Sequence, residues 1–254
     1  MIRHTFLLML LAIGLSGCVT VGSDKSKKWS QDDRATLHTQ MGVNYFSQGQ
    51  IEVAREELEL ALRIDPGHSM ANHAMAQLER QFGNPERAGF HFARAVRNNP
   101  DNLSAHNDFG YYLCNKGETE KGLVQFNIAS THPLNKSRYV SIYGAGECEL
   151  IAGNRDKAKA LFRQTLELRG NTKQALLQLA LINFEETEYL KTRGYLERFF
   201  QNNYFTDQSL VLAIKNELEM DNRKLAGEYA KVLRTQFPKS TFIGQLGALF
   251  RGGT

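Results

Sequence analysis

The 254-residue sequence has little cysteine, proline or tryptophan: three Cys, five Pro and one Trp. Three cysteines cannot hold together a disulfide-dense scaffold, and an odd count leaves one thiol needing another role. With 42% hydrophobic and 23% charged residues, the composition is that of a globular protein rather than a disordered or collagen-like one. Charge is nearly balanced, 31 Lys and Arg against 27 Asp and Glu. So mild a balance does not suggest a nucleic-acid binder, which would usually show a clustered basic face. Sequence signatures of catalysis are missing as well. There is no G-x-x-x-x-G-K-[ST], no G-x-G-x-x-G opening a helix after a strand, no G-x-S-x-G and no H-E-x-x-H. The seven His are scattered, and His68 and His73 straddle a turn rather than forming a ligand pair. The expectation is a non-enzyme that needs no metal or cofactor.

What is present begins at the N-terminus. Arg3 precedes an apolar run from Phe6 to Leu15. That run is about half the roughly 20 residues a bilayer-spanning helix needs, and it has the length of a secretory signal core. Leu15-Ser16-Gly17-Cys18 follows, which resembles the lipobox of bacterial lipoproteins. The resemblance implies cleavage of residues 1–17, diacylation of Cys18 and acylation of its new amino group, including palmitate. Several acyl chains make a stable anchor. Val19, where an Asp would imply inner-membrane retention, implies the outer membrane. Residues 18–34 are polar, without apolar period, and read as a flexible tether that includes Lys25, Lys27 and Lys28.

The rest repeats. Gly49, Gly83 and Gly117 are spaced by 34 residues, and Gly153 follows after 36. Seven positions before each stands a small residue: Gly42, Ala76, Gly110 and Gly146. Five positions after each stands Ala54, Ala88, Gly122 or Ala158, and four further on Leu58, Phe92, Phe126 or Phe162. Pro66 and Pro100 close the first two units. The pattern resembles the tetratricopeptide repeat, L-G-x-x-Y then A-x-x-x-F then P. Its logic is two helices crossing closely at small residues, large apolar side chains filling the space beside them, and Gly at the reversal. Six units are expected: 35–68, 69–102, 103–138, 139–172, 173–206 and 207–240. The fifth is degenerate, and the sixth has Ile214 at the small site. Residues 241–254 form a cap and tail, with Ile243, Leu246 and Leu249 covering the last apolar face. The expected fold is all-α, a right-handed superhelical solenoid.

Such a stack offers a surface rather than a chemistry. The first helix of each unit should line a concave face. By repeat offset the groove includes Thr39, Val43 and Phe46, then His73, Gln77 and Arg80, then Asn107, Tyr111 and Asn115, then Tyr143 and Glu147. Val43 and Phe46 are the candidate apolar pocket. Cys114 and Cys148 lie on first helices of neighbouring units, which pack side by side. Two states remain open for them: a disulfide, favoured in an oxidising compartment, or two separate buried thiols.

Lipobox, tether and six repeats together resemble the type IV pilus biogenesis/stability lipoproteins, the secretin pilotin family (PilF/PilW). The stretch His106-Asn107-Asp108-Phe109-Gly110-Tyr111-Tyr112-Leu113-Cys114 is similar to that family's N-N-Y-G-x-F-L, and Ala145-Gly146-Glu147-Cys148 also matches. The resemblance implies an outer-membrane lipoprotein on the periplasmic face, monomeric by itself. It would bind the type IV pilus secretin subunit and promote its localisation and multimer assembly. Two other readings fit a lipid-anchored repeat protein: an adaptor of the outer-membrane β-barrel assembly machinery, or one for periplasmic cell-wall enzymes.

Overall fold

The structure is a computed structural model that describes residues 29–202 and 204–251. The signal-like segment, Cys18 and the tether as far as Lys28 lie outside the described residues. Among the described residues there are thirteen α-helices and no strand.

Twelve helices form six antiparallel hairpins. They are α1 (Gln31–Ser47) with α2 (Ile51–Ile64), α3 (Ser69–Gln81) with α4 (Pro85–Asn98), and α5 (Leu103–Asn115) with α6 (Thr119–Thr131). There follow α7 (Arg138–Ile151) with α8 (Arg155–Leu168), α9 (Lys173–Glu185) with α10 (Tyr189–Gln201), and α11 (Asp207–Glu219) with α12 (Arg223–Gln236). A 3-10 turn (Thr241–Gln245) and α13 (Leu246–Arg251) close the chain. First helices also pack on first helices, α1 beside α3, α5 beside α7 and α9 beside α11.

The tether expected over 18–34 stops sooner, because α1 starts at Gln31. Ser30 Oγ accepts the Asp33 N–H at 2.9 Å, and the Asp33 carboxylate accepts the Ser30 N–H at 3.0 Å. This reciprocal cap satisfies two otherwise orphaned donors. Asp32 and Asp33 also suit the positive end of the helix dipole.

Within each of the first five hairpins a small residue faces a large one sixteen positions later. Gly42 meets Leu58, Gly110 meets Phe126 and Gly146 meets Phe162, so closely that a Cβ on any of these glycines would lie within 2.9 Å of its partner. Phe92, Phe126 and Phe162 are fully buried, each contributing about 2–3 kcal/mol by removal from water. In the sixth hairpin the sizes are exchanged. Ile214 holds the small site and Ala230 the large one, and both are buried in one cluster. The summed volume stays similar, which cores tolerate best. The fifth hairpin forms like the others, with Thr192 in the usual Ala place donating to Ala180 O at 3.3 Å.

A second periodic feature is charged. Glu79, Glu149 and Glu217 are buried at one repeat position near the ends of α3, α7 and α11. Each accepts a side-chain N–H from the Asn that precedes the next helix: Asn84 at 2.7 Å, Asn154 at 2.7 Å and Asn222 at 3.0 Å. Arg55 reaches Glu79 at 2.5 Å and Arg193 Nε reaches Glu217 at 2.8 Å, both from the second helix of the preceding unit. Burial alone would raise the Glu79 carboxyl. The hydrogen bonds from Asn84 and Arg55, with the charges of Arg55 and Arg87, outweigh it and hold the group below its ordinary value.

At the C-terminus Leu246 is buried against Leu210, Ile214 and Leu233, with Phe242, Ile243, Leu249 and Phe250 packed around them. The last open face of the stack is thereby covered.

Candidate functional site

The candidate groove is built on first helices, and its side chains rest on the core phenylalanines of their own units. His73 lies 6.2 Å from Phe92, Tyr111 meets Phe126 edge-on at 4.9 Å, and Tyr143 lies 5.4 Å from Phe162. Because the phenylalanines are immobilised by packing, the groove residues above them are held in place.

Those residues are joined from unit to unit. Asp108 Oδ2 accepts from Gln77 Nε2 at 2.6 Å and lies 2.8 Å from His73 Nε2, bridging α3 and α5. Burial would push the Asp108 carboxyl up, but hydrogen bonds from His73 and Gln77 and the charges of His73 and Arg80 bring it below its ordinary value. Glu147 accepts from Tyr143 Oη at 2.7 Å and also draws the hydroxyl of Tyr111, joining α5 to α7. Burial first, then the Glu147 charge and hydrogen bond, push both tyrosines well above their ordinary value. Gln178 on α9 bonds Tyr143 and carries the row onward. Five of the expected groove residues, His73, Gln77, Tyr111, Tyr143 and Glu147, thus form one polar and aromatic row.

Other expected groove residues are placed differently. Thr39 is buried, because its hydroxyl donates to Ala35 O of its own helix at 2.7 Å. Phe46 is half-buried against Ala54, Leu58, Met75 and Leu78, so it is part of the wall. Val43 is 47% exposed and remains an apolar spot in the open. Asn115 is exposed and donates to Tyr111 O at 2.8 Å. Asn107 turns its Oδ1 inward, where it has no hydrogen-bond partner. Its neighbour Asp108, absent from the offset list, supplies the groove acid. Asp108 stands at the repeat position of Ala74, one residue and 100° of helix turn from the column of His73 and Asn107, so the repeat offset from His73 passes it by.

Cys114 and Cys148 form a disulfide between α5 and α7, with their Cα atoms 5.4 Å apart. The bridge is fully buried beside Phe126, under Tyr111 and Ala145. It therefore ties together the two helices that carry Tyr111 and Glu147.

The repeat offset that selects Val43, Gln77, Tyr111 and Glu147 continues to Leu181 and Lys215. Here the row changes character, from hydrogen-bonded polar groups to an apolar pocket in the last two units. The groove expected from the sequence extends only through the fourth unit, to Tyr143 and Glu147.

This architecture defines the class: the chain is a tetratricopeptide-repeat protein. The profile of that family, "Tetratricopeptide repeat", matches residues 35–68. Among its similar proteins is the type IV pilus assembly protein PilF of Pseudomonas aeruginosa, 28% identical over 236 residues, covering 92% of this chain and 94% of that one. An uncharacterised protein of Haemophilus influenzae is 26% identical over 152 residues, covering 60% of this chain and 81% of that protein. The solved structure of Pseudomonas aeruginosa PilF superposes with a TM-score of 0.73 at 26% identity, covering 86% of this chain and 98% of that one. That of PilW, described as a widely conserved type IV pilus biogenesis factor, gives 0.75 at 21% identity, with coverage of 84% and 97%. Within its class the chain is similar in sequence to PilF and in fold to PilF and PilW.

Proposed function

We propose that this chain is a type IV pilus biogenesis factor that works as a pilotin. It would be an outer-membrane lipoprotein that binds the pilus secretin subunit and promotes its localisation and assembly into multimers. The observation that carries this reading is the similarity to PilF along nearly the full length of both chains. The lipobox-like Leu15-Ser16-Gly17-Cys18 supports the anchor. In this reading the lipid at Cys18 directs the complex to the outer membrane. The row from Val43 to Glu147 holds a secretin segment, since first-helix grooves present ordered side chains to an extended or helical peptide. No step of chemistry is required, only carriage and protection of a subunit until it assembles.

The test is deletion of the gene in its own host. Heat-stable secretin multimers and twitching motility should both disappear, and a copy of the gene should restore them. Normal multimers and normal pili in the deletion strain would sink the reading. Replacing Cys18 by Ala should abolish acylation and shift the protein out of the outer-membrane fraction. Unchanged fractionation of that variant would remove the anchor from the proposal.

A further inference from the structure

The C-terminal end of the first-helix row holds a cavity of about 390 Å³ between α9, α11 and the cap. Its walls are Leu181 and Phe184 from α9, Val211, Leu212 and Lys215 from α11, and Phe242 from the 3-10 turn. Leu181 and Lys215 stand at the repeat position of Val43, Gln77, Tyr111 and Glu147, and Phe184 at that of Phe46. The cavity is therefore the continuation of the same face, and the cap that covers the core also supplies one wall of it.

Its charge is uneven. Glu185, on one side, is held by Arg155 at 2.5 Å. Lys215 has no ion pair or hydrogen bond among the described residues. The uncompensated charge at the mouth is thus positive, on a side chain whose stem lies along apolar walls. A cation in that setting attracts a carboxylate, and the walls attract an aliphatic or aromatic side chain. The upstream half of the face differs, because its charged groups Asp108 and Glu147 are already bonded to His73, Gln77 and Tyr143.

We propose that this cavity is a docking pocket for a segment of a partner protein that carries a bulky apolar side chain within two residues of a carboxylate. The apolar group enters among Leu181, Phe184, Val211 and Phe242, and the carboxylate pairs with Lys215. The pocket rests on the reading of the first-helix face as a partner-binding groove, and it adds a second anchoring point, far along the stack from Val43.

The test uses random 12-residue peptides displayed on phage and selected on the purified full chain. Selected peptides should pair an apolar residue with Asp or Glu. Synthetic versions should bind Leu181→Gln/Lys215→Glu at least tenfold more weakly and should keep their affinity for Lys215→Arg. A carbodiimide should couple the peptide carboxylate to the Lys215 amine. If the double variant melts early, Lys215→Glu alone carries the comparison, since its side chain is solvent-facing. Unchanged affinity for Lys215→Glu, or selected peptides without a carboxylate, would overturn the pocket. Secretin binding by the same chains separates the two readings. A chain that selects such peptides but fails to bind the secretin overturns the pilotin reading and upholds the pocket. Secretin binding that Lys215→Glu leaves intact upholds the pilotin reading and overturns the pocket as a contact for that partner.

Discussion

Thr187 stands 34 residues after Gly153 and takes the same left-handed turn, with φ at 60° against 81°. Gly49, Gly83 and Gly117 fill this place in the first three units at φ between 75° and 79°, and Asp221 fills it in the sixth at 53°. The turn is thus kept where its glycine is lost. A β-branched residue in this region is an outlier that costs about 1–2 kcal/mol. Glycine gives back part of that through unfolded-state entropy, roughly 0.4–1 kcal/mol. Thr187→Gly should therefore stabilise the protein by about 1 kcal/mol, read as a rise in the urea midpoint. Asp221→Gly should gain less, because Asp tolerates this backbone better. A fall in the midpoint for Thr187→Gly would contradict the strain argument.

Two other glycines should respond in opposite directions. Phe126 is held between Gly110 and Gly144, and a Cβ at Gly144 would lie only 2.3 Å from its ring. Gly144→Ala should destabilise by about 1–3 kcal/mol through overpacking. Gly194, inside α10, has open space where a Cβ would go. Gly194→Ala should stabilise by up to about 1 kcal/mol through helix propensity alone. Equal effects of the two substitutions in thermal melts would show that packing around Phe126 is loose.

Asp108 predicts an acid-sensitive contribution. Its carboxyl lies below its ordinary value in the folded protein, so its hydrogen bonds stabilise the fold fully above the unfolded value. That stability is lost as pH falls through the lower, folded value. The difference in unfolding free energy between the wild type and Asp108→Asn should be about 1–2 kcal/mol near pH 6. It should shrink as the pH is lowered toward 3. A difference that stays constant over that range would mean that the carboxylate charge contributes nothing.

The disulfide closes a loop with a sequence separation of 34. A loop of this size is worth about 4 kcal/mol through the unfolded state. Cys114→Ala/Cys148→Ala should lose roughly that amount, and reducing agent should lower the wild-type melting temperature but not that of the variant. Peptide mapping without reductant should recover the two cysteines in one linked fragment. Two free thiols in that map would exclude the bridge.

Much of this protein was legible because its repeat is written in residue size. Gly42, Gly110 and Gly146 announce close helix crossings, since nothing larger than hydrogen fits against Leu58, Phe126 and Phe162. Ile214 looked like a break in that pattern. It is compensated by Ala230, and the compensation lies sixteen residues away on another helix. Thr187 likewise hid a turn, because the turn is a backbone state that glycine favours but does not own.

The sequence by itself determined the class of fold, the number of hairpins and the small-residue positions at which their helices cross. These follow from local periodicity and from steric limits that act between residues near in the chain. Only the tertiary structure decided which polar groups meet. His73, Asp108, Tyr111 and Glu147 are drawn together across three helices, while Thr39 and Asn107 turn inward from positions with the same offset. Likewise, Phe242 of the cap joins Leu181 and Lys215 in one cavity across more than sixty residues of chain. Repeat spacing sets a residue's angle on its helix, but the neighbouring helix and its side chains decide whether that angle meets solvent, a partner or the core.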